Sequence, residues 1–378
     1  MEKILLNNKI DLFLLIRYYF LSKKNEGRTM KEDFWEAKNE GNITIKLNDL
    51  CNTTCLHCFS SGRDRSHLNF EVLKNDFTEL LYQLYKKGVV NYDISFIGGE
   101  ITLISEKELT DIVKSFNESI LDFLKIVSPI VKEKVKFSIC FISNFIFDIK
   151  NTNYCDLLYS FTQTPWSNKE FNPYVSISEF NIDMFTSFDF GLGRFKSQKI
   201  EDLWKKNCEK YKGDLGLLVT LNKETCERFN ELEHNEFFNC FNQIIFQLML
   251  DFGDKEYLAP NYETLYKTIN HIRDSDKPYQ LSTKFGTKYF VSINNDSVLS
   301  CCVSEEVKLY ENKPHFMLNT IKENKDSLSS VLDNQLKLRI KKSQNKICLS
   351  CDEFLDCNFC FEVFNKDIIC PAFKIIPQ

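Results

Sequence analysis

Three thiols stand close together at Cys51, Cys55 and Cys58, separated by three and then two residues. Thiolates at this spacing reach three corners of one cubane iron–sulfur cluster and leave its fourth iron without a protein ligand. An open iron is what a chelating substrate or cofactor needs. The same spacing fits a zinc knuckle, and it also arises by chance clustering where cysteine is abundant. Gly98-Gly99-Glu100 supplies a second chemical element. Paired glycines let a ligand approach the backbone closely, and the Glu carboxylate can accept hydrogen bonds from a ligand ammonium.

A second cysteine run closes the chain, as Cys348-X2-Cys351-X5-Cys357-X2-Cys360-X9-Cys370. Thiolates at this density bind zinc or an iron–sulfur cluster. Taken alone, the run favours structural zinc. Cys301 and Cys302 stand apart from it, while the scattered Cys140, Cys155, Cys208, Cys226 and Cys240 read as small buried hydrophobes.

The elements that must position these groups alternate between two periods. Ile43 to Leu47 is a β-branched run that ends in the Asn48-Asp49 turn, so the first cysteines follow a strand directly. Phe70, Leu73, Phe77, Leu80, Leu81 and Leu84 share one helical face, closed by Lys86, Lys87 and Gly88. Tyr92 to Ile97 is the next strand and delivers Gly98-Gly99-Glu100 at its end, and a helix marked by Leu109 to Ile120 follows. Strands are expected at Val135–Ile142, Ile182–Phe188, Leu215–Leu221 and Ile244–Leu250. Helices are expected at Tyr154–Phe161, Leu203–Tyr211, Glu224–Asn239 and Tyr262–Ile272.

Six strand–helix units favour an α/β fold, a partial (β/α)6 TIM-like barrel with function at the C-terminal strand ends. The irregular stretch Gln163–Ser178 reads as a surface loop or a substrate-facing insert. Tyr289 to Ser300, turning at Asn294-Asn295-Asp296, reads as a β-hairpin and precedes a Lys/Asn/Ser-rich stretch. The expected organisation is an N-terminal helical segment at 1–42, the barrel at 43–275 and a cysteine-rich domain at 276–378.

Composition excludes several classes. The 378 residues, 43% hydrophobic and 27% charged, describe a globular chain with ample core. A net charge of −5 gives no basic footprint, so no nucleic-acid partner is expected. The apolar patch Leu12–Ile16 is far shorter than the roughly 20 residues of a membrane span and reads as a docked helix, so no membrane partner is expected. With no signal peptide apparent, the expected location is cytoplasmic, where clustered cysteines serve metal or redox chemistry.

The CX3CX2C motif after a first strand, with Gly-Gly-Glu after a second, resembles the radical S-adenosylmethionine (SAM) superfamily. By that resemblance Cys51, Cys55 and Cys58 ligate a 4Fe-4S cluster, and SAM chelates the fourth iron through its amino and carboxylate groups. Gly98, Gly99 and Glu100 bind the SAM amino group, and His57, where members often have an aromatic residue, packs over the cluster. Ile142-Ser143-Asn144 is similar to the Thr-Asn-Gly turn of many members, with Phe145 in place of glycine, and the resemblance implies that Asn144 lies against SAM. Ser187, Asp189 and Arg194 match the fourth-strand region that contacts SAM ribose and carboxylate.

The tail resembles the SPASM extension of peptide and sulfatase maturases, which carries auxiliary 4Fe-4S clusters. It implies an outer cluster on Cys348, Cys351, Cys357 and Cys370. An inner one would use Cys360 with Cys301 or Cys302, although a further upstream cysteine is missing, so one or two auxiliary clusters are expected. The implied activity is a radical SAM enzyme that modifies a peptide or protein and draws electrons from a flavodoxin or ferredoxin. Radical chemistry on a small molecule or nucleotide is the enzymatic alternative. A zinc scaffold is the non-enzymatic one, which leaves the Gly-Gly-Glu at a strand end unexplained.

Overall fold

Apolar residues in strand-length runs, joined by amphipathic helices, build one continuous sheet. The computed structural model describes residues 40–48, 50–56, 70–147, 172–248, 258, 260–281, 289–293 and 298–299. The strands are β1 (Glu40–Lys46), β2 (Asn91–Ile97), β3 (Val135–Ile142), β4 (Ser178–Phe188), β5 (Leu215–Leu221), β6 (Gln243–Leu248), β7 (Tyr279–Leu281), β8 (Tyr289–Ile293) and β9 (Val298–Leu299). Their order across the sheet is β7-β6-β5-β4-β3-β2-β1-β8-β9. β1 to β7 are parallel and lie in chain order, and β8 adds a further parallel strand beside β1.

The order is linear, with β7 and β9 at its two edges, so the sheet does not close. The six strands expected from sequence become an ordered run of seven. The extra one, β7, is only Tyr-Gln-Leu, too short to show a period of two. The expected hairpin is present, with Ser292 opposite Leu299 and Ile293 opposite Val298. Both of its strands, and β7, belong to the same sheet as β1.

The helices are α1 (Phe70–Lys86), α2 (Glu106–Val127), α3 (Gln198–Lys210), α4 (Lys223–Glu227), α5 (Phe229–His234) and α6 (Tyr262–Asp274). Gly88 ends the first helical unit with φ +87°, the left-handed conformation that glycine adopts without steric cost. Ser105 caps α2, its hydroxyl accepting from the Glu108 N–H. The helix expected over Glu224–Asn239 is instead three short pieces. Arg228 leaves helical geometry at ψ +18°, and Asn235 at ψ +112° starts a 3-10 turn by accepting from the Phe237 N–H.

The core is aromatic to an unusual degree, drawing on the 34 phenylalanines. Phe96 stacks on Phe141 across β2–β3 at 4.8 Å, and Phe137 stacks on Phe180 across β3–β4 at 5.0 Å. In both pairs the residues are direct partners in the strand register. Phe116 and Phe123 of α2 cover this row edge-on. On β4, the fully buried Trp204 of α3 donates its ring N–H to the Thr186 hydroxyl at 3.0 Å and stacks on Phe188.

The expected helix at Tyr154–Phe161, the N-terminal segment, most of the Gln163–Ser178 stretch and the C-terminal cysteine run lie outside the described residues. Trp204→Ala is expected to cost about 3–5 kcal/mol of stability through the cavity it leaves. Trp204→Phe is expected to cost about 1–3 kcal/mol, chiefly from the Thr186 hydroxyl left unpaired. Urea unfolding of the two variants beside the wild type measures both.

Candidate functional site

The C-terminal ends of β1 to β4 converge, and their turns are joined by polar bonds rather than apolar packing. Beyond β1, the Leu47 N–H still donates to the Ile97 carbonyl, so the pairing with β2 outlasts the strand. The buried Asn48 then grips the next turn. Its carbonyl and its side-chain oxygen both accept from the Gly99 N–H, at 2.9 and 3.1 Å, and its side-chain amide donates to the Glu100 carbonyl. A Cβ on Gly98 would lie 2.9 Å from the Asn48 carbonyl oxygen, so this close approach requires glycine.

Glu100 is 1% exposed, and its carboxylate turns inward to the end of β3. Oε1 accepts from the Ser143 hydroxyl at 2.6 Å and from the Thr102 N–H and hydroxyl. Oε2 accepts from the Asn144 N–H at 2.6 Å. Burial pushes this carboxyl above the usual carboxylate range, opposed by the hydrogen bonds from Ser143, Asn144 and Thr102.

Asn144 carries the connection back to the first cysteine. Its side-chain oxygen accepts from the Ile146 N–H at 2.9 Å. Its amide nitrogen reaches the Asn52 side-chain oxygen at 2.6 Å and the Cys51 sulfur at 3.8 Å. The next residue, Phe145, has φ +56°, a conformation that glycine adopts freely and phenylalanine only under constraint. Its carbonyl accepts from the buried Asn207 amide, and its ring packs against Phe147 and Tyr211.

Cys51 is half-buried and Cys55 buried, with Thr53 between them. The Cys51 sulfur lies 3.0 Å from the Thr53 hydroxyl and accepts from the Thr53 N–H at 3.4 Å, while the Cys55 sulfur lies 3.5 Å from the same hydroxyl. Burial raises the Cys55 thiol, opposed by the charge of Arg194 and the Thr53 hydroxyl, with Asp189 and Cys51 adding to the rise. A metal at this loop would bind both as thiolates.

The turn after β4 meets the cysteine loop from the other side. The Leu56 N–H donates to the Leu192 carbonyl, and Arg194 pairs with Asp189 at 2.8 Å, both buried. The second Asp189 oxygen, Oδ1, is buried with no hydrogen-bond partner among the described residues. An orphaned carboxylate oxygen fits a ligand that brings a donor, such as a hydroxyl. The turn is held by Asn222, whose amide donates to the Phe190 carbonyl, and by Thr225, which accepts from the Phe190 N–H.

Cys51, Cys55, Asn144, Asp189 and Arg194 are thus gathered around one loop, with Gly98, Gly99 and Glu100 bonded into it. Ser187 lies half-buried on β4, opposite Leu218 of β5. Cys58 and His57, and Cys301, Cys302, Cys348, Cys351, Cys357, Cys360 and Cys370, lie outside the described residues. Cys208, Cys226 and Cys240 are buried in the core, and Cys140 is half-buried on β3. Asn52, Thr53 and Asn222 are neighbours of the cysteine loop that the sequence did not single out, and Asn48 and Ser143 stood there only as turn residues. Their only signal is a small polar residue at a strand end, which reads equally well as an ordinary turn.

No family model matches the chain, and a comparison with curated protein sequences gives no match. Solved structures do match. The chain is similar to anSMEcpe with bound AdoMet (S-adenosylmethionine), at 14% identity and a TM-score of 0.56, over 84% of this chain and 88% of that one. It is similar at 14% identity, TM-score 0.53 and the same coverage to anSMEcpe with AdoMet and the Cp18Cys peptide. It is also similar to Streptococcus suis SuiB bound to its precursor peptide SuiA, at 16% identity and TM-score 0.52, over 87% and 74%. At such identities the likeness is one of fold, and the fold agrees with the radical SAM resemblance of the motifs. Among the described residues no helix is long and apolar enough to cross a membrane.

The bracing role of Glu100 has a pH signature. Folded Glu100 holds its proton more tightly than the unfolded chain does. Its contribution to stability is therefore complete below the ordinary value of about 4.3 and declines as pH rises through the raised one. Glu100→Gln sets an NH2 group against donors and is expected to cost about 1–3 kcal/mol. Chemical unfolding of both proteins at about pH 4.5 and about pH 7 tests this, the wild type's advantage being larger at the lower value.

Proposed function

We propose that this chain is a radical SAM enzyme that modifies a peptide or protein substrate. The observation that carries the reading is the convergence of Cys51 and Cys55 with Asn144 and the Asp189–Arg194 pair at the C-terminal strand ends. In this reading Cys51, Cys55 and Cys58 hold a 4Fe-4S cluster. That cluster, when bound, supplies the electron that cleaves SAM to a 5′-deoxyadenosyl radical.

The remaining roles fall to the chain's own side chains. Gly98 and Gly99 receive the SAM amino group, and Glu100, its carboxylate turned to the interior rather than to the ligand as the resemblance implied, holds their turn in place. Arg194, its Nε fixed by Asp189, binds the SAM carboxylate with an oriented guanidinium. Asp189 offers its orphaned Oδ1 to a ribose hydroxyl, with Ser187 alongside. The cysteine-rich region after β9, rather than all of 276–378 as expected from sequence, carries one or two auxiliary clusters on Cys301, Cys302, Cys348, Cys351, Cys357, Cys360 and Cys370. Electrons arrive from a flavodoxin or ferredoxin. The peptide in the anSMEcpe complex and the SuiA precursor bound to SuiB support a peptide substrate here.

Release of 5′-deoxyadenosine from SAM by the anaerobically reconstituted, dithionite-reduced protein tests the chemistry. Cys55→Ala is expected to abolish it, whereas Cys357→Ala leaves some cleavage while damaging turnover or folding. Arg194→Lys, which loses the planar fork, is expected to raise the KM for SAM about tenfold, roughly 1.4 kcal/mol. Tightly bound zinc and no deoxyadenosine would sink the reading. A mass change in a short peptide encoded beside the gene, after incubation with the enzyme, identifies the substrate class.

A further inference from the structure

Asn144 was matched by sequence to a turn beside SAM, yet its side chain is committed elsewhere. The orientation of its amide is not arbitrary. Oδ1 must face the Ile146 N–H, because only an oxygen can accept there, and this closes a turn in which the side chain mimics backbone. The backbone N–H is fixed on Glu100. With both anchored, the NH2 group faces Asn52 Oδ1 and the Cys51 sulfur. Phe145 completes the turn at φ +56°, so the main chain accepts strain at the point where the amide is aimed.

Cys51 and Cys55 differ sharply in their surroundings. The Cys51 sulfur is within reach of the Thr53 N–H, the Thr53 hydroxyl and the Asn144 amide, whereas among the described residues the Cys55 sulfur is bonded to the Thr53 hydroxyl alone. An N–H···S bond draws electron density from a thiolate and favours the more negative, reduced state of a cluster it binds.

We propose that Asn144 is a positioning residue for the cysteine-loop cluster, its amide holding the Cys51 sulfur and raising that cluster's reduction potential. The proposal rests on the radical SAM reading. The step it bears on is a one-electron reduction of the cluster from its 2+ to its 1+ state by dithionite, with no bond made or broken.

The test is an anaerobic potentiometric titration followed by low-temperature electron paramagnetic resonance, in the absence of SAM. The signal of this cluster is the one missing from Cys55→Ala protein. In Asn144→Ala the ratio of reduced to oxidised cluster at a fixed potential is expected to fall up to tenfold, a midpoint lower by up to about 59 mV for one electron. Asn144→Asp keeps the shape and the Ile146 contact but adds a charge, and should fall further. An unchanged midpoint in Asn144→Ala overturns the proposal, whatever the charge of Asn144→Asp does, while leaving the radical SAM reading intact. A wild type that lacks any cluster signal removed by Cys55→Ala overturns the reading itself.

Should neither variant take up iron, wild-type protein carrying 15N only in asparagine side-chain amides gives the answer. A weakly coupled 15N in the pulsed spectrum of the reduced cluster, absent from Cys55→Ala, supports the bond, and its absence overturns it. Asn52 does not confuse this readout, because its amide is turned to the Ile146 carbonyl.

Discussion

The arrangement of the site depends on one buried carboxylate. Glu100 has left water almost completely, which is tolerable only because its two oxygens accept from Ser143, Asn144 and both donors of Thr102. Those donors come from two strand ends, so the carboxylate welds the turn after β2 to the turn after β3. Asn48 extends the weld to β1 by gripping Gly99 and Glu100. Asn144 carries it forward to Cys51. Three consecutive links, all polar, therefore fix where the first thiol of the cysteine loop sits.

The turn after β4 is built on a separate polar frame. Asn222 and Thr225 hold Phe190, and Asp189 holds Arg194. The two frames meet where Leu56 bonds to Leu192, placing the cysteine loop between them. Beneath both lies the stacked aromatic layer of β2, β3 and β4, stiff enough to keep the strand ends in register. Phe145 joins layer and site. It keeps the left-handed backbone that a glycine would supply, and the cost is offset by full burial of its ring and the Asn207 bonds around it.

Much of this was legible in the sequence because strands and helices announce themselves by period. Tyr92 to Ile97 alternates in burial along its length, and Leu109 to Val127 places its apolar residues on one helical face. Gly88 marked the end of the first helical unit by composition alone. Legibility failed where the deciding signal was a cap or a direction. The apolar spacing over Glu224–Asn239 gave no sign that Arg228 and Asn235 interrupt the helix. A glutamate after two glycines reads the same whether it faces a ligand or, as here, the interior. A single asparagine such as Asn48 looks like a turn residue until a second strand end is beside it. The substitution of Phe145 for an expected glycine was visible, but that the backbone would retain the glycine's conformation was not.

The central claim is that the cysteine loop binds a redox cluster that SAM contacts. Its most direct test is the electron paramagnetic resonance spectrum of anaerobically reconstituted, reduced protein, recorded with and without SAM. The expected result is a signal that SAM alters and that disappears when Cys51 is replaced by Ala. A protein that takes up zinc in place of iron, or a signal indifferent to SAM, would contradict the account.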